Sequence, residues 1–349
     1  MEKQIKKVLE ELEKNNYQAY LVGGYVRDYL LGEKSFDIDI CTNCLPKDIH
    51  QIFKCSKSNY GCVNFKLNKY NIDITTFRKD LNYVNRKPSQ VIYINSLEED
   101  LLRRDFTINA ICMNKNGRII DILGGINDLN NRLIKMIGNV NEKVQEDPLR
   151  ILRAIRFATV LNFELDQNLY DAIKKYSYLV ASLSKERIKS ELDKILLSKN
   201  FNYGLNLIKE FNLDEIIGLQ YDNVFFVDDL LGMWAQIKVL DMPFTNLEKS
   251  NIIKIAEIIK YGKVDNLMLY KYGLYLSLIA GKILNLNIKD INKKYNKLPI
   301  KSRSDIDINV KDLGVGKEIN IKYIELENNI LTNRLKNKNK DIKKFLERK

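Results

Sequence analysis

The stretch Gly23–Thr42, GGYVRDYLLGEKSFDIDICT, decides how the rest of the chain is to be read. It follows directly on Gln18-Ala19-Tyr20-Leu21-Val22, an apolar run that reads as a short strand. Gly23 and Gly24 break that strand. Tyr25 to Leu31 reads as a short helix that stops at Gly32, where a glycine commonly ends a helix. Phe36 to Cys41 alternates as a second strand, so Asp37 and Asp39 share one face and Ile38 and Ile40 the other. Like charges so close repel one another unless cations are present. Magnesium prefers oxygen ligands in octahedral geometry. Two carboxylates at this spacing can hold two such ions about 3.5–4 Å apart, as in-line phosphoryl or nucleotidyl transfer requires. By themselves the two residues read equally well as solvated aspartates on an edge strand.

The surroundings shift that balance. In Asn71-Ile72-Asp73-Ile74-Thr75, part of a third strand over Tyr70 to Phe77, Asp73 again sits between apolar neighbours. It is a natural third carboxylate from an adjacent strand. Gly23-Gly24 lies between a strand and a helix, where backbone N–H groups can approach a triphosphate and the helix N-terminus favours an anion. Arg27, one turn into that helix, can reach the same phosphates. A glycine pair, an arginine and an aspartate pair together form a constellation that none of them makes alone.

Composition narrows the chemistry further. The 349 residues are 45% hydrophobic and 29% charged, a globular balance, with 57 Lys and Arg against 45 Asp and Glu. The net charge of +12 favours a polyanionic partner, nucleic acid or a membrane surface, although Lys-rich drift would produce it too. No apolar run reaches membrane-spanning length. The N-terminal MEKQIKKVLEELEKNN carries Ile5, Val8, Leu9 and Leu12 at helical spacing rather than a signal-peptide core, so a cytoplasmic location is expected. His50 is the only histidine, which disfavours multi-histidine zinc sites and most histidine acid–base schemes. The five cysteines, an odd number, argue against a disulfide framework. Cys41-x-x-Cys44 raises a zinc hypothesis, but Cys55 and Cys62 do not repeat the spacing, and buried free thiols are the plainer reading.

Along the chain, Val91 to Ile94 reads as another strand, Asp105 to Met113 as a helix, Arg118 to Leu123 as a strand and Gly124-Gly125 as a turn. From Glu146 onward the periodicity is nearly all helical. The fold class is therefore α+β, with an α/β head followed by an elongated α-helical remainder.

These segments resemble a known family. Gly23–Thr42 closely resembles the first motif of class II tRNA nucleotidyltransferases of the DNA polymerase β superfamily. The likeness continues through IDITTFR (Ile72 to Arg78), RRDFTINAI (Arg103 to Ile111), DILGGINDL (Asp121 to Leu129), EDPLRILRAIRF (Glu146 to Phe157) and SKERIKSELDKIL (Ser184 to Leu196). LPIKSRSDI (Leu298 to Ile306) is similar to the tail of Bacillus-type CCA-adding enzymes, and Phe201 to Lys297 matches least. The resemblance implies a polymerase-β-like head with a small mixed sheet over residues 1–136. A helical neck carrying a nucleotide-selecting helix would span 137–205, and a helical body and tail 206–349. It also implies a reaction: C, C and A are added to the 3′ end of tRNA from CTP and ATP without a nucleic-acid template. Two Mg2+ ions would be held by Asp37 and Asp39, Asp73 would help ionise the attacking hydroxyl, pyrophosphate would leave towards Gly24 and Arg27, and Gly23 would join Gly24 in binding the nucleotide. Arg104 would contact the nucleotide, Asp105 would accept from a ribose 2′-hydroxyl, and Asn109 would support them.

Asp147 and Arg150 lie three apart on one helix edge. Cytosine and adenine both show an amino donor beside a ring-nitrogen acceptor, whereas uracil and guanine show the reverse. A carboxylate with a guanidinium satisfies the first pattern and leaves the second unpaired, at about 1–3 kcal/mol per buried group. In the family these two positions act as an amino-acid template. Asp147 also reads as an N-cap with Pro148 at the first helical position. Arg153 and Arg156 continue the stripe, either bracing the template and phosphates or forming a solvated basic face. Lys79 to Pro88 corresponds to the loop that relatives need to switch from C to A addition. It keeps Tyr83, Arg86 and Pro88, is about one residue shorter than the usual pattern, and has Asn85 where Asp is common. CC-addition, A-addition and poly(A) synthesis are therefore the neighbouring readings, and a non-catalytic RNA-binding protein a more distant one. The tRNA, through its 3′ end and its acceptor and T arms, is expected along the helical part by phosphate contacts from Lys and Arg.

Overall fold

The head is organised by a sheet whose register follows from alternation of apolar and polar residues. The computed structural model describes residues 2–55, 58–59, 62–84, 87–314 and 317–347, with backbone alone for 58–59, 80–84 and 87–90. After α1 (Lys3–Lys14), which buries Ile5, Val8, Leu9 and Leu12, come β1 (Ala19–Val22), α2 (Gly24–Leu30) and β2 (Asp37–Thr42). Then follow α3 (Pro46–Phe53), β3 (Ser58–Asn59), β4 (Cys62–Leu67) and β5 (Tyr70–Thr76). The hairpin strands β6 (Arg78–Val84) and β7 (Lys87–Tyr93) precede α4 (Leu97–Leu102), β8 (Cys112–Met113), β9 (Ile119–Ile120) and α5 (Gly125–Asn130). The main sheet runs β3-β4-β5-β2-β1-β8-β9. Only β2 and β5 run parallel within it, with Asp39 opposite Asp73, while β1 and β2 are antiparallel with Val22 opposite Asp39. Ile38, Ile40, Ile72 and Ile74 are buried on the other face, as a period of two requires.

Three segments depart from the sequence reading. Asp105 to Met113 is not a helix. Phe106 bridges to Met136, Thr107–Asn109 forms a single 3-10 turn, and Cys112–Met113 is β8. Every residue from Phe106 to Met113 is buried, so apolar side chains point in all directions and no amphipathic stripe exists. The strand expected over Arg118 to Leu123 shrinks to Ile119–Ile120, because the Asp121 carboxylate turns to accept from Gly125 and Ile126 N–H at the start of α5. Lys79 to Pro88 is largely strand, since β6 and β7 pair from Arg78↔Tyr93 to Val84↔Lys87; Asn85 and Arg86 lie outside the described residues. Cys41 and Cys44 are buried free thiols, and among the described residues no group of three His, Cys, Asp or Glu forms a metal cluster.

The strands β10 (Leu133–Ile134) and β11 (Glu164–Leu165) pair in parallel around the helices α6 (Val140–Glu146) and α7 (Leu149–Leu161). Helices α8 (Gln167–Tyr176), α9 (Lys185–Leu196) and α10 (Phe201–Glu210) complete a first compact unit that ends at Ile217. The second unit, Gly218–Lys349, is helical apart from one short β pair. Its last helices, Lys317–Leu331 and Asn339–Leu346, close a core of Ile300, Ile306, Leu313, Leu326, Ile330, Leu331 and Ile342. Among the described residues no helix is long and apolar enough to cross a membrane.

Two buried features hold the head together. Gly125 packs so tightly that a Cβ there would run into the Thr107 carbonyl, with the Ile111 Cγ1 only 2.9 Å away. Gly125→Ala should lower stability by about 1–3 kcal/mol, as overpacking does, read as a fall in the urea midpoint at unchanged slope. The fully buried Asp100 carboxylate accepts from the Arg78 N–H (3.1 Å), Arg103 Nε (2.8 Å) and Arg104 Nη2 (3.2 Å). Asp100→Ala strands two guanidiniums and should cost about 3–5 kcal/mol in the same titration.

Candidate active site

Because Val22 pairs with Asp39, the chain leaving β1 turns immediately beside that carboxylate. Gly23 makes the turn at φ +75°, and a Cβ on it would lie 2.7 Å from Asp39 Oδ2. Glycine is required twice over, for the left-handed backbone and for the close approach. Gly24 then opens α2. Burial raises the Asp39 carboxyl above its ordinary value; Asp73 and Asp37 push it the same way, and the Arg104 and Arg27 charges offset this in part. Such under-compensated negative charge on the cleft wall is what a divalent cation relieves. The donor set also fits magnesium, which is usually held by one or two carboxylates and completed by phosphate oxygens and water. Asp37 is exposed at the start of β2, where its Oδ1 accepts from Asn71 Nδ2 at 2.7 Å. Asp73 accepts from Asn64 Nδ2 at 2.6 Å.

A cavity of about 560 Å3 opens beside Asp39. It brings together Gly23, Gly24, Arg27, Asp39, Arg104, Asp105, Asn109, Asp147, Arg150, Arg153 and Arg156 of the residues singled out from sequence. Asp37 and Asp73 do not line it. Arg27 is buried, its Nη1 donating to Asn109 Oδ1 (2.7 Å) and its Nε and Nη2 to Asp28 Oδ1 (2.9 and 2.7 Å). Asp105 accepts from its neighbour's Phe106 N–H at 2.9 Å and from Arg153 Nε at 2.8 Å. Burial would raise that carboxyl, but the Arg153 charge and hydrogen bonds outweigh it and hold Asp105 below the usual range. Arg156 Nε lies 3.1 Å from Glu191 Oε2 of α9 without hydrogen-bond alignment. Burial pushes the Arg103 and Arg156 guanidiniums below the ordinary arginine value, so both gain from an anion that restores lost solvation.

The two base-reading candidates stand at the junction of α6 and α7. Asp147 ends α6 in an extended conformation, and Pro148, with helical dihedrals, leads into α7, where the Arg150 N–H donates back to the Asp147 carbonyl at 3.0 Å. The Asp147 carboxylate still serves the helix start, its Oδ1 accepting from Leu149 N–H at 3.2 Å, and Arg187 Nη2 lies 3.6 Å from Oδ2. Arg150 is buried and donates from Nη1 to the Lys143 carbonyl (2.6 Å) and to Glu146 Oε2 (3.1 Å). Arg78, Arg103 and Phe157 also line the cleft, although sequence reading passed over them. All three stand inside segments with family likeness, at the ends of IDITTFR and EDPLRILRAIRF and the start of RRDFTINAI. Position in a motif was their one available signal.

Comparison with known proteins agrees with this geometry. Family profiles match at residues 19–135 ("Poly A polymerase head domain"), 162–220 ("Probable RNA and SrmB- binding site of polymerase A") and 239–346 (tRNA nucleotidyltransferase domain 2). The CCA-adding enzyme of Ligilactobacillus salivarius is 35% identical over 342 residues, covering 88% of this chain and 85% of the relative. That of Bacillus cytotoxicus is 30% identical over 383 residues, covering 97% and 96%. The crystal structure of the Bacillus stearothermophilus CCA-adding enzyme in complex with CTP superposes with a TM-score of 0.83 at 25% identity, covering 100% of this chain and 98% of that one. With a polymerase-type head, the Gly-Gly turn against Asp39 and this full-length likeness, the chain belongs to the CCA-adding enzymes, tRNA nucleotidyltransferases of the DNA polymerase β superfamily.

Proposed function

We propose that this chain completes the 3′ end of tRNA, adding C, C and A in turn from CTP and ATP without a nucleic-acid template. The observation that carries this reading is a single cleft in which the Gly23-Gly24 turn, Asp39 and a wall of arginines adjoin Asp147 and Arg150. Asp39 and the two base-reading candidates thus face one nucleotide-sized space. The likeness to CCA-adding enzymes along the whole chain favours full addition over CC-addition, A-addition or poly(A) synthesis.

In this reading the tRNA 3′-hydroxyl attacks the α-phosphate of the bound nucleotide. A P–O bond forms to that oxygen, the bond to the β-phosphate breaks, and pyrophosphate leaves towards Gly24 and Arg27. Two Mg2+ ions, held by Asp37 and Asp39, would supply Lewis-acid charge at the phosphoryl oxygens. Asp73, paired across the sheet with Asp39, helps take the hydroxyl proton. Arg104, Arg153 and Arg156 meet the nucleotide, Arg27 is aimed by Asn109, and Asp105 has lone pairs left for a ribose 2′-hydroxyl. Asp147 accepts from the exocyclic amine of C or A, and Arg150 donates to the adjacent ring nitrogen.

We read residues 1–136 as the catalytic head, 137–205 as the neck and 206–349 as the body and tail. The tRNA would lie along the helical part, held by phosphate contacts that the +12 charge favours. Five free thiols fit a cytoplasmic setting.

Labelled CTP and ATP supplied to tRNA transcripts ending before, within and after CC should yield products that stop at CCA. Long A-tracts or failure to use CTP would sink the reading. Asp39→Ala should lower incorporation at least about 100-fold while tRNA binding in a gel-shift titration stays near wild type; undiminished turnover would remove Asp39 from the catalytic centre. Asp147→Ala should erode the preference for CTP over UTP by about 10–100-fold, the worth of one or two unpaired buried groups. Unchanged selectivity would place base reading elsewhere.

A further inference from the structure

Phe157 stands where three guanidiniums meet. Its ring, half-buried on α7, lines the cleft. The guanidinium carbons of Arg156, Arg27 and Arg153 lie 4.0, 5.3 and 5.7 Å from its centroid. Phe106 meets the ring edge-on at 5.5 Å and 78°. Phe106 is fully buried and its backbone bridges to Met136, so the Phe157 ring packs against a fixed neighbour.

Three like charges drawn to one place need something to hold them there. Each has its nearest polar partner: Asp28 and Asn109 for Arg27, Asp105 for Arg153 and Glu191 for Arg156. Asp105 and Glu191 each act on both Arg153 and Arg156, while Asp28 and Asn109 hold Arg27. Among the described residues, the aromatic ring is the contact common to all three. Its negative face attracts guanidinium planes and asks no hydrogen bond of them, leaving N–H groups for an anion.

We propose that Phe157 is a positioning residue for the nucleoside triphosphate, its π face gathering Arg27, Arg153 and Arg156 into one preformed cationic wall. This rests on the reading of those arginines as nucleotide contacts given above. An aromatic ring suits the task because a second carboxylate there would neutralise the wall and repel the phosphates. An aliphatic side chain would fill the space without attracting the cations.

The test compares Phe157→Leu and Phe157→Met, which keep apolar bulk and lose the ring, with Phe157→Tyr, which keeps it. For each, KM and kcat are measured with CTP and with ATP, alongside the thermal midpoint. The non-aromatic variants should raise both KM values together by about ten-fold, with kcat within about two-fold of wild type and the Tyr variant close to wild type. The Met side chain, flexible enough to fill the gap, carries the comparison should the Leu variant melt below the assay temperature. Unchanged KM in the non-aromatic variants, or a Tyr variant as impaired as Leu, overturns the proposal, since either result makes Phe157 a packing residue only. Arg153→Ala, run in parallel, separates this from failure of the underlying reading. If it too leaves KM unaltered, the arginine wall does not bind the triphosphate; if it raises KM while the Phe157 variants do not, only the role of Phe157 falls.

Discussion

The antiparallel pairing of β1 with β2 sets Val22 opposite Asp39, and everything in the cleft depends on it. Because Gly23 follows at once, its backbone passes so close to the Asp39 carboxylate that no side chain can stand between them. The parallel pairing of β2 with β5 sets Asp39 beside Asp73, and α2, which follows Gly23, brings Arg27 to the cavity. A slip by one residue would turn Asp37 and Asp39 to the opposite face and bring Ile38 and Ile40 out. Burial of those isoleucines therefore fixes the position of the acidic groups.

Around that pairing the cleft is an exercise in partnered charge. Arg27, Arg103, Arg104, Arg150, Arg153 and Arg156 would repel one another if left alone. Asp28, Asp100, Glu146, Asp105 and Glu191 each stand against one or two of them. Asp28, Asp100 and Glu146 stand within four residues of their arginines, whereas Asp105 and Glu191 reach Arg153 and Arg156 only through the tertiary fold. The Asp39 carboxyl is held above its ordinary value, because burial together with Asp73 and Asp37 outweighs the Arg104 and Arg27 charges.

How far the sequence could be read varied with the kind of pattern. The strands Ala19–Val22, Asp37–Thr42 and Tyr70–Thr76 were legible almost to the residue, the first as a short apolar run buried on both faces and the last by its alternation of buried and less buried residues. Asp105 to Met113 was misread as a helix because complete burial erases periodicity, and pairing of Phe106 with Met136 is a contact that local sequence does not encode. Lys79 to Pro88 was read as a loop from family likeness, while its backbone pairs as a hairpin in keeping with Tyr83, Val84, Val91 and Ile92. The partners of the site residues were the least visible. Asp100 stands three and four residues before Arg103 and Arg104, a helical spacing that the sequence displays. Nothing at position 191, however, marks it as the counter-charge to Arg156, and Phe157 looks like any core aromatic on an apolar helix face.

By itself the sequence determined the residue types of the site and their spacing: three aspartates on strands, a glycine pair before a helix, and a carboxylate and a guanidinium three residues apart. Local periodicity and motif order are properties of neighbouring residues, so one chain suffices to display them. Only the tertiary structure decided that Asp39 faces the cleft while Asp37 and Asp73 do not line it. Only it set Asp105 against Arg153, tied Asp147 to the start of α7 and gathered three guanidiniums on the Phe157 ring. These are contacts between elements distant along the chain or choices among side-chain directions, and burial, charge and close packing settle them once the elements have met.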